Sequence, residues 1–412
     1  MVNSDKCCPW PPAGLSHNAQ RLARALCAEG PSTRLRLGEL TGFSRPTITA
    51  GLGELKKRRL IETETDSSGQ GQTIGRPARL IRLSRRAGLA VGIEIGRRHI
   101  QVVLTDLGHQ LIDRIPAEAD AYRHPPTADA DPDEVLDKTA EMVRTLLARN
   151  NCQLGEITAI GLGIPVPITR DGQIGAPTLA PRWANVEPAE ALAKRLDNVP
   201  VLIDNNANLG ALGEYTFGEF HRNRPAGRSY EMIYVKLAAG IGAGIIHDGQ
   251  LHRGASGTAG ELGHITLDPK DPTKCLCGNQ GCLELYAGEE VLLGKARIAW
   301  PDLSDTLELV DRAKAGDHFC ISVIQDVGDY VGLALGILVN LTGPDLILIG
   351  GELSDAGDIL LGPIRQKIDR TAMPAAARAA AISTAPLKKW SSAWGAAALA
   401  LTTTAAETAA PS

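Results

Sequence analysis

The chain has 412 residues, of which 43% are hydrophobic and 22% charged. That is ordinary globular composition, long enough for two or three domains with buried cores, and it excludes collagen-like, fully disordered and disulfide-scaffold classes. The net charge of −4 is an average of two unlike parts: residues 1–86 carry 15 basic and 7 acidic side chains, a net +8, and the remainder 28 and 40, a net −12. A basic segment joined to an acidic body is the pattern of a nucleic-acid reader on a carrier that repels nucleic acid elsewhere.

Met1 to Pro12 carries Pro9, Pro11 and Pro12 and no apolar signal-peptide core. Residues 1–14 are expected to form a flexible N-terminus. His17–Glu29 then has Leu22, Ala25 and Leu26 at helical spacing, and a second short helix fits Arg36–Thr41, ended by Gly42. Ser44 stands as an N-cap with Pro46 in the first turn of a third helix, Arg45–Arg59. Two β-like segments follow, Leu60–Thr65 and Ala78–Leu83, around a loop ending in Gly75-Arg76-Pro77. Helix, tight turn, helix and a two-stranded ribbon make the winged helix-turn-helix plan, over residues 15–86. Ser44, Arg45, Thr47 and Thr49 lie where a recognition helix reaches base edges. Lys56 and Lys57, followed by Arg58 and Arg59, suit phosphate contacts. Arg76 and Arg79 belong to the wing, which can meet backbone or minor groove. The expected partner is double-stranded operator DNA. The plainer reading is a small helical domain with a solvated basic face.

From Leu89 the pattern becomes α/β. LAVGIEIG and HIQVVLTDL read as strands, with a third over Gln110–Ile115, and Asp131 and Pro132 start a helix that runs to Arg149. ITAIGLGIPVPI, Val199–Ile203, MIYVKLAAGIGAGII and DLILIGG continue the strands, with helices from Asn208 and over Gly328–Leu341. The longest apolar stretch, Val331–Gly351, is broken by Asn340, Thr342, Pro344 and Asp345, so no membrane span and no membrane partner are expected. The chain reads as soluble and cytoplasmic, where cysteines stay reduced. Three of its eight cysteines crowd into Cys275–Cys282. His264, then Cys275, Cys277 and Cys282, have the residue types and short spacings of a closed tetrahedral Zn²⁺ shell, which is a structural site. The alternative is a set of free buried cysteines.

The body resembles the ROK family of repressors, open reading frames and sugar kinases. The stretches that carry the resemblance are GIEIG (92–96), GIPVP (163–167), DNNANLGALGE (204–214), AAGIGAGIIHDGQL (238–251), GELGHITLDP (260–269), CLCGNQGCLE (275–284) and LILIGGEL (346–353), and it extends from about Leu89 to about Leu401. The resemblance implies a two-lobed actin-like fold with a sugar cleft between the lobes. Lobe 1 would span 87–207 and be completed by a C-terminal helix at about 385–401. Lobe 2, with the zinc site, would span 208–384, and residues 402–412 would form a disordered tail. It assigns sugar hydroxyls to Asn205, Glu261, His264 and Glu284, with Asn206 adjacent, and has His264 place one ring nitrogen on zinc and the other toward the sugar. Asn205 and Asn206 could instead serve turn chemistry after a strand, and Glu261 and Glu284 could pair with lysines.

Against the kinases of that family the sequence departs three times. Asn206 stands where they use an Asp as proton acceptor, and an amide does not take that proton. Glu94-Ile95-Gly96-Arg97-Arg98 replaces Asp-x-Gly-Gly-Thr, and Ala238-Ala239-Gly240 replaces a Gly-Thr-Gly loop. The implied protein is therefore not an enzyme. It is a sugar-responsive regulator, a repressor of carbohydrate uptake or catabolism genes released by a sugar or sugar phosphate, and a homodimer or homotetramer. The alternatives are a bifunctional ATP-dependent sugar kinase that binds DNA and a DNA-binding regulator controlled by a protein partner.

Overall fold

The computed structural model describes residues 10–65, 79–116, 130–219 and 230–406. Three helices come first, α1 (His17–Glu29), α2 (Arg34–Thr41) and α3 (Arg45–Lys57), then an antiparallel pair, β1 (Ile61–Thr65) and β2 (Arg79–Leu83). Ser16, Thr33 and Ser44 each accept the backbone N–H three residues on, so every helix of this reader starts on a hydroxyl cap. Thr33 brings the start of α2 two residues ahead of the expected Arg36. Gly42 closes it in the left-handed region at φ 70°. α3 stops at Lys57 rather than Arg59, because Arg59 itself turns left-handed and the chain enters β1. Leu22, Leu26, Leu37, Leu52 and Leu55 fill the space between the helices. Arg76 and the Gly75–Pro77 wing tip lie outside the described residues.

The body holds two five-stranded sheets built on one plan. In the first, β3 (Leu89–Ile95), β4 (Ile100–Asp106), β5 (Leu111–Ile115), β6 (Ile157–Ile164) and β7 (Val201–Asn205) lie in the order β5-β4-β3-β6-β7. In the second, β8 (Met232–Leu237), β9 (Ile241–His247), β10 (Gln250–Leu251), β11 (Leu346–Gly350) and β12 (Ala381–Thr384) lie in the order β10-β9-β8-β11-β12. In each, the first three strands in sequence run antiparallel and the last two join parallel. β3 and β4 are buried along their whole length, as expected of a sheet covered on both faces.

In lobe 1, Asp131 caps α4 (Pro132–Arg149), which buries Val135, Leu136, Val143, Leu146 and Leu147, and α5 (Pro188–Arg195) precedes β7. The matching helix of lobe 2, His318–Thr342, is long and apolar enough to cross a membrane by length and composition. One face of it, including Val323, Val327, Val331, Leu335 and Val339, lies inside the lobe 2 core. The apolar stretch Val331–Gly351 is thus two elements, a helix end and β11, with Gly343 between them.

Two helices then change partners. α6 (Asn206–Phe217) follows the last strand of lobe 1 and packs on β8 and β9 of lobe 2. Helix Ser391–Ala406 follows β12 of lobe 2 and packs on β3 and β6 of lobe 1. The expected lobe boundary after Ala207 therefore falls inside α6, and the completing helix starts at Ser391 rather than 385. The exchanged helices meet backbone to backbone. A methyl on Gly395 would stand 1.6 Å from the Leu209 carbonyl oxygen, and one on Gly161 would stand 1.9 Å from that of Ala396.

Residues 10–14 and 402–406 carry more structure than the sequence implies. The tail expected from Thr402 is helical to Ala406, because the Thr402 and Thr404 hydroxyls donate to the carbonyls of the preceding turn and Thr404 is buried against Thr158. At the N-terminus, the Trp10 indole donates to the Ala87 carbonyl at 2.8 Å and Arg58 donates to that of Ala13 at 2.9 Å, so 10–14 pack on the reader. Residues 1–9 and 407–412 lie outside the described residues.

Gly395→Ala is expected to lower stability by about 3 kcal/mol, because the methyl meets backbone that cannot rotate away. Gly53→Ala, on the exposed side of α3 with open space around it, should be neutral or raise stability by up to about 1 kcal/mol. Urea unfolding of the two variants checks the contrast.

Candidate functional site

A cavity of about 370 Å³ opens between the lobes, within the range that suits small ligands. Its walls come from the β3–β4 turn, the end of β6, the start of α6, the β8–β9 turn and the segments around Glu261 and Glu284. All five side chains expected to meet a sugar, Asn205, Asn206, Glu261, His264 and Glu284, line it.

Asn205 is the N-cap of α6. Its Oδ1 accepts from the Ala207 N–H at 2.7 Å and its Nδ2 donates to the Val166 carbonyl at 2.9 Å. The turn reading and the ligand reading thus coincide on one residue, with one amide hydrogen left to face the cavity. Asn206 is buried. Its Nδ2 donates to the Ile95 carbonyl at 3.2 Å, and its Oδ1 has no hydrogen-bond partner. Across the cleft, burial and the charge of Glu284 push the Glu261 carboxyl up to about 7. Burial raises Glu284 too, partly offset by Arg97. These carboxyls can accept from and, when protonated, donate to ligand hydroxyls.

His264 faces two ways. Its Nδ1 lies 3.5 Å from the Cys275 Sγ, and its Nε2 lies 4.0 Å from Glu284 in the cavity. Burial first, then the charge of Arg97, lowers its pKa and favours the neutral ring that a metal ligand needs. The Sγ atoms of Cys277 and Cys282 are 3.7 Å apart, and all four ligand atoms of His264, Cys275, Cys277 and Cys282 lie within 4.8 Å of one another. Metal–sulfur bonds of about 2.3 Å in a tetrahedron place sulfurs about 3.8 Å apart, so this cluster can hold a metal ion without rearrangement.

The other end of the cleft is filled. Glu94, fully buried, is held by Lys236 of lobe 2, whose Nζ also donates to Ser392 Oγ at 3.0 Å. Burial raises the Glu94 carboxyl, but Lys236 and His99 outweigh it and bring it down to about 2. Arg98 of lobe 1 pairs with Glu289 of lobe 2 at 2.7 Å. Arg97 projects beside them as a cavity wall. Asp204, the carboxylate nearest Asn206 in sequence, is spent. It accepts from Asn208 and from its neighbour's N–H, and it pairs with Arg253 at 2.7 Å. Sequence reasoning noted Arg97 and Arg98 as departures from a phosphate loop but missed Lys236, Glu289 and Glu352. Their only signal is the topology that brings lobe 2 to the β3–β4 turn.

On the reader, Arg45, Lys56, Lys57 and Arg79 are exposed. The hydroxyls of Ser44 and Thr47 lie 2.8 Å apart, and Ser44 caps α3. The Thr49 hydroxyl donates to the Arg45 carbonyl and accepts from Arg34, an exposed residue of α2 that the sequence left outside the helix. Arg45 is therefore the side chain at the start of α3 with the longest free reach.

The Glu94–Lys236 pair yields a pH signature. A carboxyl held at about 2, against 4.5 when free, stabilises the fold at neutral pH, and that contribution is lost as pH falls below 4.5. Glu94→Gln should be less stable than the wild type at pH 6, and the gap should narrow by about 2 kcal/mol by pH 3 in urea unfolding.

Residues 90–403 match the ROK family. The xylose repressor of Bacillus subtilis (strain 168) is 30% identical over 354 residues, 85% of this chain and 86% of that protein. Among solved structures, a ROK family transcriptional regulator described as a homologue of the Escherichia coli MLC protein superposes with a TM-score of 0.70 at 26% identity, covering 94% of this chain and 96% of that one. A ROK family glucokinase from Streptomyces griseus, in complex with glucose and AMPPNP, superposes at 0.61 and 27% identity, covering 76% of this chain and 99% of that one. The part of the chain that the glucokinase leaves uncovered is about the size of the reader. With its repeated sheets, its exchanged helices and its His/Cys cluster beside the cleft, the chain belongs to the ROK family.

Proposed function

We propose that this chain is a sugar-responsive transcriptional repressor, not a kinase. The reader holds operator DNA through α3 and the ribbon, and a sugar in the cleft changes that hold. One observation carries the reading: a basic DNA reader is packed onto a two-lobed body whose cleft keeps hydroxyl-binding side chains while its phosphate end is closed by ion pairs. The repressor name of the Bacillus subtilis relative, which matches 85% of this chain, points the same way.

A sugar is recognised by groups that pair with adjacent hydroxyls, and Asn205, Glu261, His264 and Glu284 supply acceptors and donors around one cavity. Asn206 adds a buried acceptor. The metal held by His264, Cys275, Cys277 and Cys282 is zinc, because three thiolates and one imidazole fill a tetrahedral shell with no position left for substrate. Bound there, zinc holds the His264 ring in one tautomer and orientation, which leaves Nε2 aimed at the ligand. The position where the kinases of the family keep their proton acceptor holds none here: Asn206 is an amide, and Asp204, two residues earlier, is neutralised by Arg253. Lys236 and Glu94 occupy each other where a nucleotide's phosphates would need free cations and bare backbone.

Arg45, Thr47 and Thr49 would meet base edges, with Ser44 holding the helix start. Lys56 and Lys57 would meet phosphates, and Arg76 and Arg79 the backbone or the minor groove. Reading paired half-sites calls for a homodimer, or a homotetramer of two such pairs.

The deciding experiment maps DNA bound by this protein across its genome and titrates the protein with D-xylose and D-glucose by calorimetry. The reading expects sites beside carbohydrate genes and heat from at least one sugar. DNA binding with no heat from either, and none from sugar phosphates, would transfer control to a protein partner. ATP-dependent phosphorylation of either sugar would make the chain a kinase. Cys277→Ser should lose about one zinc per chain by metal analysis and lower the thermal midpoint, and unchanged zinc would mean a different ligand set. Arg45→Ala should cost about 1–3 kcal/mol of operator binding and relax base preference. A uniform loss on all DNA, with a smaller salt slope, would make Arg45 a phosphate contact instead.

A further inference from the structure

We propose that the turn between β4 and β5, Asp106–Gln110, is the positioning element of the DNA reader. It fixes the reader's orientation on lobe 1 and converts movement of that lobe into movement of the DNA-binding surface. The second half rests on the repressor reading.

Four consecutive residues of this turn grip the reader, each in a different way. Asp106, almost fully buried, accepts the Gly108 and Gln110 N–H groups on Oδ1, both at 2.9 Å, and takes Arg82 of β2 on Oδ2 at 3.0 Å. One carboxylate therefore both shapes the turn and holds the ribbon. Arg82 carries the hold across to β1 through Glu62 and Glu64. Leu107 is fully buried in the reader's own core, with Leu26 and Leu83. Gly108 lies so close to β2 that a methyl there would stand 2.2 Å from the Leu83 carbonyl oxygen. His109, at φ 66°, puts Nε2 2.7 Å from the carbonyl of Cys27, in the last turn of α1. The ribbon and α1 are separate elements of the reader, and one turn of the body holds both.

The same turn touches the far end of the rod that starts in the cleft. The His109 ring lies 5.3 Å from that of Phe217, the last residue of α6, and Phe217 lies 4.5 Å from Trp394 of the C-terminal helix. The first residue of α6 is Asn206, in the cleft wall. Twelve helical residues, about 18 Å, separate the ligand end from the reader end. The C-terminal helix also packs on the reader, at Ala400 and Leu401, and the turn adds a polar hold on β2 and α1. Clamped at β2 and α1, the reader follows lobe 1 and α6 as one body.

The test uses full-length wild type, Asp106→Asn and His109→Ala, with His109→Gln as the conservative variant that still offers an N–H to Cys27. Trypsin cleavage after Arg85 and Arg86, in the linker between reader and body, is read by mass spectrometry without sugar or DNA. The clamp predicts cleavage faster by about fivefold or more in Asp106→Asn and His109→Ala, and near the wild-type rate in His109→Gln. Unchanged cleavage in the first two overturns the proposal. Affinity is then measured for a duplex selected from a random pool by the wild type, with and without D-xylose or D-glucose. The wild type should respond to one of these sugars by about tenfold, and the two loosened variants by less than about twofold at unchanged sugar affinity. A full response in the loosened variants overturns the transmitting role. A wild type indifferent to both sugars, with cleavage raised as expected in the variants, removes the sugar reading and leaves the clamp in place.

Discussion

Everything in this molecule depends on one close approach, that of α6 to the C-terminal helix at Gly395. Two helices at ordinary separation would leave space between them and push the sheets apart. Here the Gly395 α-carbon lies against the Leu209 carbonyl, and no residue with a β-carbon fits. That contact sets where Ser392 lies, and Ser392 donates to the Asn206 carbonyl at 2.9 Å while accepting from Lys236. The floor of the cleft, the ion pair behind it and the joint between the lobes are thus consequences of a missing methyl group. Interiors packed at crystal density transmit such constraints over many residues.

Most of the fold was legible because the physics that makes each element is local. α1 and α4 match their expected bounds, since a capping residue precedes each and a helical apolar stripe fills each. The central strands themselves were legible for the same reason, as largely apolar runs, and their order in the sheets was not. What was not legible depends on distant partners. Thr402 and Thr404 read as tail because alanine and threonine alone carry no pattern, yet burial against Thr158 makes the segment helix. Helices such as Glu289–Ala299 and Asp358–Thr371 lie between motifs and declare themselves only by the core they complete.

The candidate site divides along the same line. The His/Cys cluster could be read from spacing, because three ligands sit in one short loop. The residues of the cavity wall could be read only by resemblance, since Asn205, Glu261 and Glu284 are individually as good at capping or pairing as at binding. Asn205 does both. The closing of the phosphate end could not be read in full: Arg98 and Glu94 were visible as odd residues in a loop, while their partners Glu289 and Lys236 lie 191 and 142 residues away. The two substitutions are not simple losses. Each introduces a charge that the opposite lobe answers.

The exchange of helices between the sheets has a consequence for the order in which the chain can become complete. The Cys27 thiol, in the reader, donates to the carbonyl of Leu401, across 374 residues of sequence. Ala400 and Leu401 belong to the same apolar cluster as Leu22, Leu26 and Leu37. The reader, synthesised ahead of the body, therefore has an open seam until the helix Ser391–Ala406 arrives, and contacts so far apart in sequence form slowly. A chain cut short between β2 and Ser391 carries all three helices of the reader but not the surface that completes their core, so such an unfinished product is poorly equipped to settle on DNA in place of the finished one.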